Sequence, residues 1–301
     1  MARLTKDDLV GIFPALPTPL DDAGDVDTAA TERLVEFLLA AGVQGLVPVG
    51  GTGEYAALSP TDRRRMVETT VRATAGRVPV VAGILSPGFK EAVAAARDFE
   101  AAGADALMLV TPYYVHASGQ GIRDYFSNFA AAVELPVLLY EVPARTGVAL
   151  TAETIAGMVD DDSIIGMKAC NGDFNQFTRL IDAVGERIAV MGGEEPYFPT
   201  HVAMGASGGI LATANLVPAP WLEIFRLASE GDLPAALRRH AALFPLLDAI
   251  FAEVNPGPLK AAMGLAGMPV GQVLPPLLPP GPEAMARLET VLAAWRERQA
   301  A

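Results

Sequence analysis

The sequence predicts an α/β fold: a (β/α)8 TIM barrel over residues 1–231, followed by a C-terminal helical extension over 232–301. Three observations predict it. Eight short apolar runs recur before Gly231, at intervals of roughly 20–35 residues, the length of a strand plus a crossover helix. Most of these runs are continuously apolar rather than alternating, as parallel strands covered on both faces must be. After about Gly231 the strand signals stop while helical ones continue. A doubly wound sheet is the competing arrangement, but no run is followed by the G-x-G-x-x-G turn of a dinucleotide fold.

The runs occupy 11–17, 45–49, 78–84, 106–110, 136–142, 164–169, 188–193 and 208–213. Between the first two, Leu34, Phe37, Leu38 and Ala41 fall at i, i+3, i+4 and i+7, with Glu32, Arg33 and Glu36 flanking or opposing that stripe. Between the next two, Ser59-Pro60-Thr61-Asp62 supplies an N-cap hydroxyl, a proline suited to the first turn and an acid near the positive helix end. Residues 40–46 are echoed by 101–107, two βα units later; each copy reads as a helix closed by a glycine that hands over to a strand. Beyond the barrel, 235–254 and 259–265 read as helices. A connector with Pro275, Pro276, Pro279, Pro280 and Pro282 follows, then a last helix to about Arg298.

Composition narrows the function. The chain is 51% hydrophobic and 19% charged, which excludes disorder. Its net charge of -13 sets it against phosphate backbones and anionic lipid, so neither nucleic acid nor a membrane surface is an expected partner. The longest charge-free stretch, 196–222, is broken by Pro199, Pro218, Pro220 and several glycines and reads as strand and loop. Cys170 is the single cysteine and no secretory apolar segment follows Met1, so a cytoplasmic location is expected. The three histidines, His116, His201 and His240, lack metal-ligand spacing, and no metal is expected. Only four of the 22 basic residues are lysines.

Barrel enzymes place reactive groups where strands end and βα loops begin. Lys168 lies in such a position, at the end of the run Ile164-Ile165-Gly166-Met167. Two readings are open: a strand-end lysine paired with Glu194 or Glu195, or a buried amine of depressed pKa that forms a Schiff base with a carbonyl substrate. Gly50-Gly51-Thr52-Gly53-Glu54 is either a tight turn or a nest of amides, with the Thr52 hydroxyl, sized for a carboxylate. Tyr140 reads as a packed strand residue or an acid–base group, and Arg145 as a surface ion pair or an anion clamp. Glu194 and Glu195 are adjacent, so only one is expected to face the barrel mouth. Cys170 reads as a small buried thiol.

Four motifs in register resemble the dihydrodipicolinate synthase / N-acetylneuraminate lyase family. They are Gly-Gly-Thr-Gly-Glu (50–54), Thr-Pro-Tyr-Tyr (111–114), Tyr-Glu-Val-Pro-Ala-Arg-Thr-Gly (140–147) and Gly-Met-Lys (166–168). The segment Asn-Pro-Gly-Pro-Leu-Lys (255–260) resembles that family's C-terminal part. The resemblance implies that Lys168 forms a Schiff base with pyruvate or a related 2-oxo acid, with no other cofactor. It implies that Thr52 and the amides around Gly51 hold the substrate carboxylate, that Tyr140 relays protons, and that the Ile210 carbonyl lines the pocket. Tyr114 matches the tyrosine that reaches into a neighbouring subunit's site, which implies a homotetramer built from tight dimers.

Arg145 matches the synthase branch, where it meets the carboxylate of an acidic aldehyde such as aspartate semialdehyde. Gly51 departs from that branch, which carries a hydroxyl residue there, and favours the alternative of a sugar-acid dehydratase or 2-keto-3-deoxy-acid aldolase, for example 4-deoxy-5-oxoglucarate dehydratase. Glu141 stands where the family commonly has asparagine. Pro60, Arg63 and Pro87 replace the polar residues of the family's allosteric lysine site, which is therefore expected to be absent. A rival from another class is a catalytically silent barrel that binds a keto acid.

Overall fold

In a computed structural model, which describes residues 3–300, seven parallel strands form one curled sheet. They are β1 (Gly11–Pro14), β2 (Val81–Ile84), β3 (Ala106–Val110), β4 (Val137–Glu141), β5 (Gly166–Ala169), β6 (Ala189–Gly192) and β7 (Gly208–Leu211), in the order β1-β7-β6-β5-β4-β3-β2. The remaining predicted run, 45–49, closes the ring between the two edges. Val47 bridges to Ala15 and Leu46 to Val80, both parallel, with Val47 N–H donating to the Pro14 carbonyl at 3.0 Å and Val81 N–H to the Leu46 carbonyl at 2.9 Å. It holds bridges rather than a regular ladder for a local reason. Pro48 has no N–H to give, and Val49 sits at φ 50, where a β-branched residue cannot continue a strand. The chain is a (β/α)8 barrel with a C-terminal helical extension.

Helices α1 (Thr28–Ala41), α2 (Pro60–Thr74), α3 (Phe89–Ala101), α4 (Gly119–Ala132), α5 (Pro143–Thr146), α6 (Ala152–Asp160), α7 (Phe174–Val184), α8 (Phe198–Ala203) and α9 (Pro218–Ser229) surround the sheet. Ser59 caps α2 by accepting from Asp62 N–H, with Pro60 in the first turn, as the sequence predicts. Gly42 and Gly103 both take left-handed φ, 91° and 86°, at the two ends of the internal echo. The predicted stripe on α1 is rotated. Leu34 and Leu38 are buried, but Phe37 is 37% exposed, and Thr31 and Val35 complete the buried face. Thr31 can be inside because its hydroxyl donates to the Asp27 carbonyl at 2.8 Å.

Side chains alternate along each strand, so β4 sends Leu138 and Tyr140 inward with Phe13, Met108, Met191 and Ile210, and Leu139 outward against the helices. On β5 the outward pair is Met167 and Ala169, which turns Lys168 to the interior. Beyond the barrel come α10 (Leu233–Ala241), α11 (Phe244–Ile250), α12 (Gly257–Leu265) and α13 (Pro282–Ala300). The predicted helix 235–254 is thus two helices, broken where Pro245 starts a new first turn. The extension shares the barrel's outer apolar layer, with Leu246, Leu259, Leu288 and Trp295 in the same cluster as Trp221 and Phe177. Among the described residues no helix is long and apolar enough to cross a membrane.

Two buried carboxyls fix the loops at the barrel mouth. Glu54 pairs with Lys260 at 2.5 Å with both side chains almost wholly hidden. Its other oxygen accepts from Leu274 N–H at 2.7 Å, while the ammonium also donates to the Gln272 carbonyl at 2.8 Å. Burial lowers the Lys260 pKa, against the pull of Glu54. Glu141, 2% exposed at the end of β4, accepts from Leu150 N–H and the Asn171 amide, each at 3.3 Å. Burial pushes its pKa up to about 7, against those two donors.

Lys260→Met leaves the Glu54 carboxylate buried and unpaired, and should destabilise the fold by about 3–5 kcal/mol in denaturant titrations. Adding Glu54→Gln should recover most of that loss, and no recovery would contradict a paired-charge account. For Glu141 the folded chain holds the proton more tightly than the unfolded chain does, so stability falls as pH rises from the ordinary carboxylate range through about 7. Glu141→Gln removes that loss. Its stability relative to the parent should grow by about 3 kcal/mol between pH 4 and pH 8, and a pH-independent difference would count against the burial of this charge.

Candidate active site

The sheet register brings the central pair together: Tyr140 on β4 is the direct partner of Lys168 on β5. Both side chains point inward, and the Lys168 Nζ lies 4.9 Å from the centroid of the Tyr140 ring. They open onto a cavity of about 330 Å³ that is also lined by Gly51, Thr52, Arg145 and Ile210. Six of the seven predicted site residues therefore share one space. Tyr114 does not: it is 92% exposed, at φ 74, on the outer surface. A larger cavity of about 400 Å³ lies between α12 and the proline-rich connector. Its one ionisable lining group is Lys260, already held by Glu54.

Lys168 is 8% exposed, and among the described residues it forms no ion pair, with Glu194, Glu195 or any other carboxylate. Its protonation differs from the sequence expectation. Burial lowers the pKa, while the acid groups around it, Tyr140 and Cys170 as they ionise and Glu195 and Glu194, raise it above the ordinary lysine value. A raised pKa favours the ammonium form, which is nucleophilic only after a proton leaves. Space around it is tight, because a Cβ on Gly193 would stand 2.8 Å from the Lys168 Cε and collide with the Cys170 sulfur. Burial raises the Tyr140 phenol, partly offset by Lys168, so it is neutral and able to donate. Burial also pushes the Cys170 thiol up to about 12, consistent with an inert thiol.

The candidate anion donors come from two places. The Gly-rich turn 50–54 follows the closing segment, and Thr52 is 6% exposed there. Asn255, from the extension, donates its Nδ2–H to the Thr52 Oγ1 at 2.9 Å. Arg145 stands on the short helix α5 at the cavity mouth and makes no ion pair among the described residues, so its guanidinium is available to an anion. A Cβ on Gly51 would lie 3.8 Å from the Tyr140 Oη, in ordinary contact. The glycine leaves open the place from which a hydroxyl could reach that phenol.

Glu194 and Glu195 both line the cavity, against the expectation that only one would. Strand β6 ends at Gly192 and a 3-10 turn begins at Glu195, so strand alternation no longer applies to them. Glu195 is committed elsewhere: it accepts from Ala212 N–H at 2.5 Å, Thr213 N–H at 3.0 Å and the Thr213 hydroxyl. These bonds fix the chain just after Ile210. Burial raises its pKa, against those donors. Sequence reading missed Asn255 and Phe251 as lining residues, although 255–260 carried a family-like signature. No group of three His, Cys, Asp or Glu among the described residues is placed to hold a metal ion.

Comparison with known proteins gives a consistent result. Residues 8–295 match the model of the dihydrodipicolinate synthetase family. The chain is 39% identical to the 4-hydroxy-tetrahydrodipicolinate synthase of Methanopyrus kandleri over 269 residues, covering 89% of this chain and 90% of that protein. It is 36% identical to the enzyme of that name from Methanothrix thermoacetophila over 283 residues, covering 94% and 95%. Among solved structures it superposes on dihydrodipicolinate synthase from Aquifex aeolicus with a TM-score of 0.92 at 30% identity, covering 95% and 98%. The chloride-inhibited enzyme of Acinetobacter baumannii complexed with pyruvate gives 0.91 at 32% identity, covering 94% and 98%. Fold, motif order and overall similarity agree: the chain belongs to the dihydrodipicolinate synthetase family.

Proposed function

We propose that this chain is a class I, Schiff-base-forming lyase of the 4-hydroxy-tetrahydrodipicolinate synthase type, condensing pyruvate with an acidic aldehyde such as aspartate semialdehyde. The observation that carries the reading is a buried lysine, with no ion pair among the described residues, beside a neutral phenol in a cavity with separate anion donors. Names of the relatives support it, as does the pyruvate bound to one solved neighbour.

In this reading Thr52 and the amides around Gly51 hold the pyruvate carboxylate, which sets the keto carbon against Lys168. The deprotonated Nζ adds to that carbon, a proton reaches the former carbonyl oxygen through Tyr140, and loss of water leaves the imine. A methyl proton then leaves, and the enamine carbon adds to the aldehyde carbon. The Ile210 carbonyl lines the pocket, and Arg145 meets the aldehyde's carboxylate. The Schiff base on Lys168 is the sole cofactor-like group. Residues 1–231 carry the reacting groups, and 232–301 close the mouth. The exposed Tyr114, with Val115 at 72% exposure beside it, serves a neighbouring subunit in a homotetramer built from tight dimers. The enzyme works in the cytoplasm.

A second reading is favoured by Gly51. Without a hydroxyl beside the Tyr140 Oη the family's proton relay is shortened, which suits a sugar-acid dehydratase or 2-keto-3-deoxy-acid aldolase on the same lysine.

A coupled assay separates the two: pyruvate plus aspartate semialdehyde against a panel of 2-keto-3-deoxy sugar acids, with the higher kcat/KM expected for the semialdehyde. Arg145→Ala should lower kcat/KM for the semialdehyde by about 10- to 100-fold, the worth of a charge-assisted clamp, and leave the KM for pyruvate unchanged. An unaffected Arg145→Ala enzyme, or a preference for sugar acids, would overturn the synthase assignment.

A further inference from the structure

We propose that Asn255 is a positioning residue: it orients the Thr52 hydroxyl as a hydrogen-bond donor to the carboxylate of the 2-oxo acid. This rests on the reading of Thr52 as a carboxylate ligand and extends it to the C-terminal segment.

A threonine hydroxyl has one hydrogen to donate and two lone pairs to accept with. In this chain the Asn255 Nδ2–H, at 2.9 Å, occupies a lone pair of the Thr52 Oγ1. Among the described residues the Thr52 hydroxyl donates no hydrogen bond of its own. Both side chains line the cavity that holds Lys168. With the amide on one side of the oxygen, the hydroxyl hydrogen is turned toward the open space, where a substrate anion would meet it. A donor set in advance spends nothing on reorientation when the anion arrives. The serving residue is itself held: five positions on, Lys260 is locked to Glu54, which lies two residues beyond Thr52. Segment 255–260 and turn 50–54 thus form one clamped unit, and residues 203 apart in sequence share one donor.

Borohydride trapping measures the step directly. Pyruvate is compared with acetone, which has the same methyl and carbonyl groups and no carboxylate, through the rate of trapping per mole of ketone in the intact enzyme. Asn255→Ala and Thr52→Val should each slow trapping of pyruvate by about tenfold, the worth of an oriented hydrogen bond to a charged group. Both should leave acetone unchanged, and the double variant should be no slower than Thr52→Val alone. In steady state Asn255→Ala should raise the KM for pyruvate with kcat little altered. Asn255→Asp keeps the size but has no amide hydrogen, and should lose pyruvate trapping at least as far, with acetone again unaffected. Three results overturn the proposal: Asn255→Asp or Asn255→Ala traps pyruvate normally while Thr52→Val does not; the two losses multiply in the double variant; or acetone slows equally. A normal Thr52→Val enzyme would instead remove the carboxylate role of Thr52 on which the proposal stands.

Discussion

The ion pair between Glu54 and Lys260 is the constraint on which the catalytic end of this barrel depends. A (β/α)8 ring is complete without residues 232–301, yet here the turn after the closing segment is pinned to the extension by two buried charges. Such a pair is costly to bury and costly to break, because either partner left alone keeps the desolvation penalty without compensation. Its structural effect is definite. It sets the level at which Asn255 meets Thr52, and through Leu274 it ties the proline-rich connector to the same turn. The extension acts as the far wall of the cavity.

Inside that wall the charges are arranged for carboxylate substrates, although the chain as a whole carries -13. Two of the nearby acids are drawn away from the role of free carboxylates. Glu195 spends its oxygens on Ala212 and Thr213, and Glu141 is pushed up to about 7 by burial. What faces the space is the Lys168 amine, a neutral phenol, a threonine hydroxyl, the Glu194 carboxylate and a guanidinium that makes no ion pair among the described residues. A raised Lys168 pKa fits this setting: the ammonium form attracts the anionic substrate, and once the amine is free the neutral phenol beside it can donate to the carbonyl oxygen. The cost is a smaller fraction of free amine at neutral pH.

Much of this was legible in the sequence, for physical reasons that can be named. Continuous apolar runs mark buried parallel strands, and the strand-end rule then singles out Lys168, Tyr140, Thr52 and Arg145 as neighbours in space. Other features depend on contacts that no local pattern records. Pro48 and Val49 reduced one stave to bridges, and Pro245 split one predicted helix. The α1 stripe turned by one position because Thr31 could satisfy its hydroxyl on the backbone. The pKa direction at Lys168 was misjudged because burial was counted and the acidic neighbours were not. Asn255 was quoted for its resemblance and missed for its position, since nothing local reveals a partner 203 residues away.

The most direct measurement is borohydride reduction of the enzyme in the presence of pyruvate, followed by intact mass and peptide mapping. The chain's four lysines make the result easy to read. Lys260 is locked in its ion pair, and Lys168 alone lies beside Tyr140 in the substrate cavity. One pyruvyl-derived adduct per chain, on the peptide bearing Lys168, is the predicted outcome. No adduct, or one on Lys6, Lys90 or Lys260, would contradict the account.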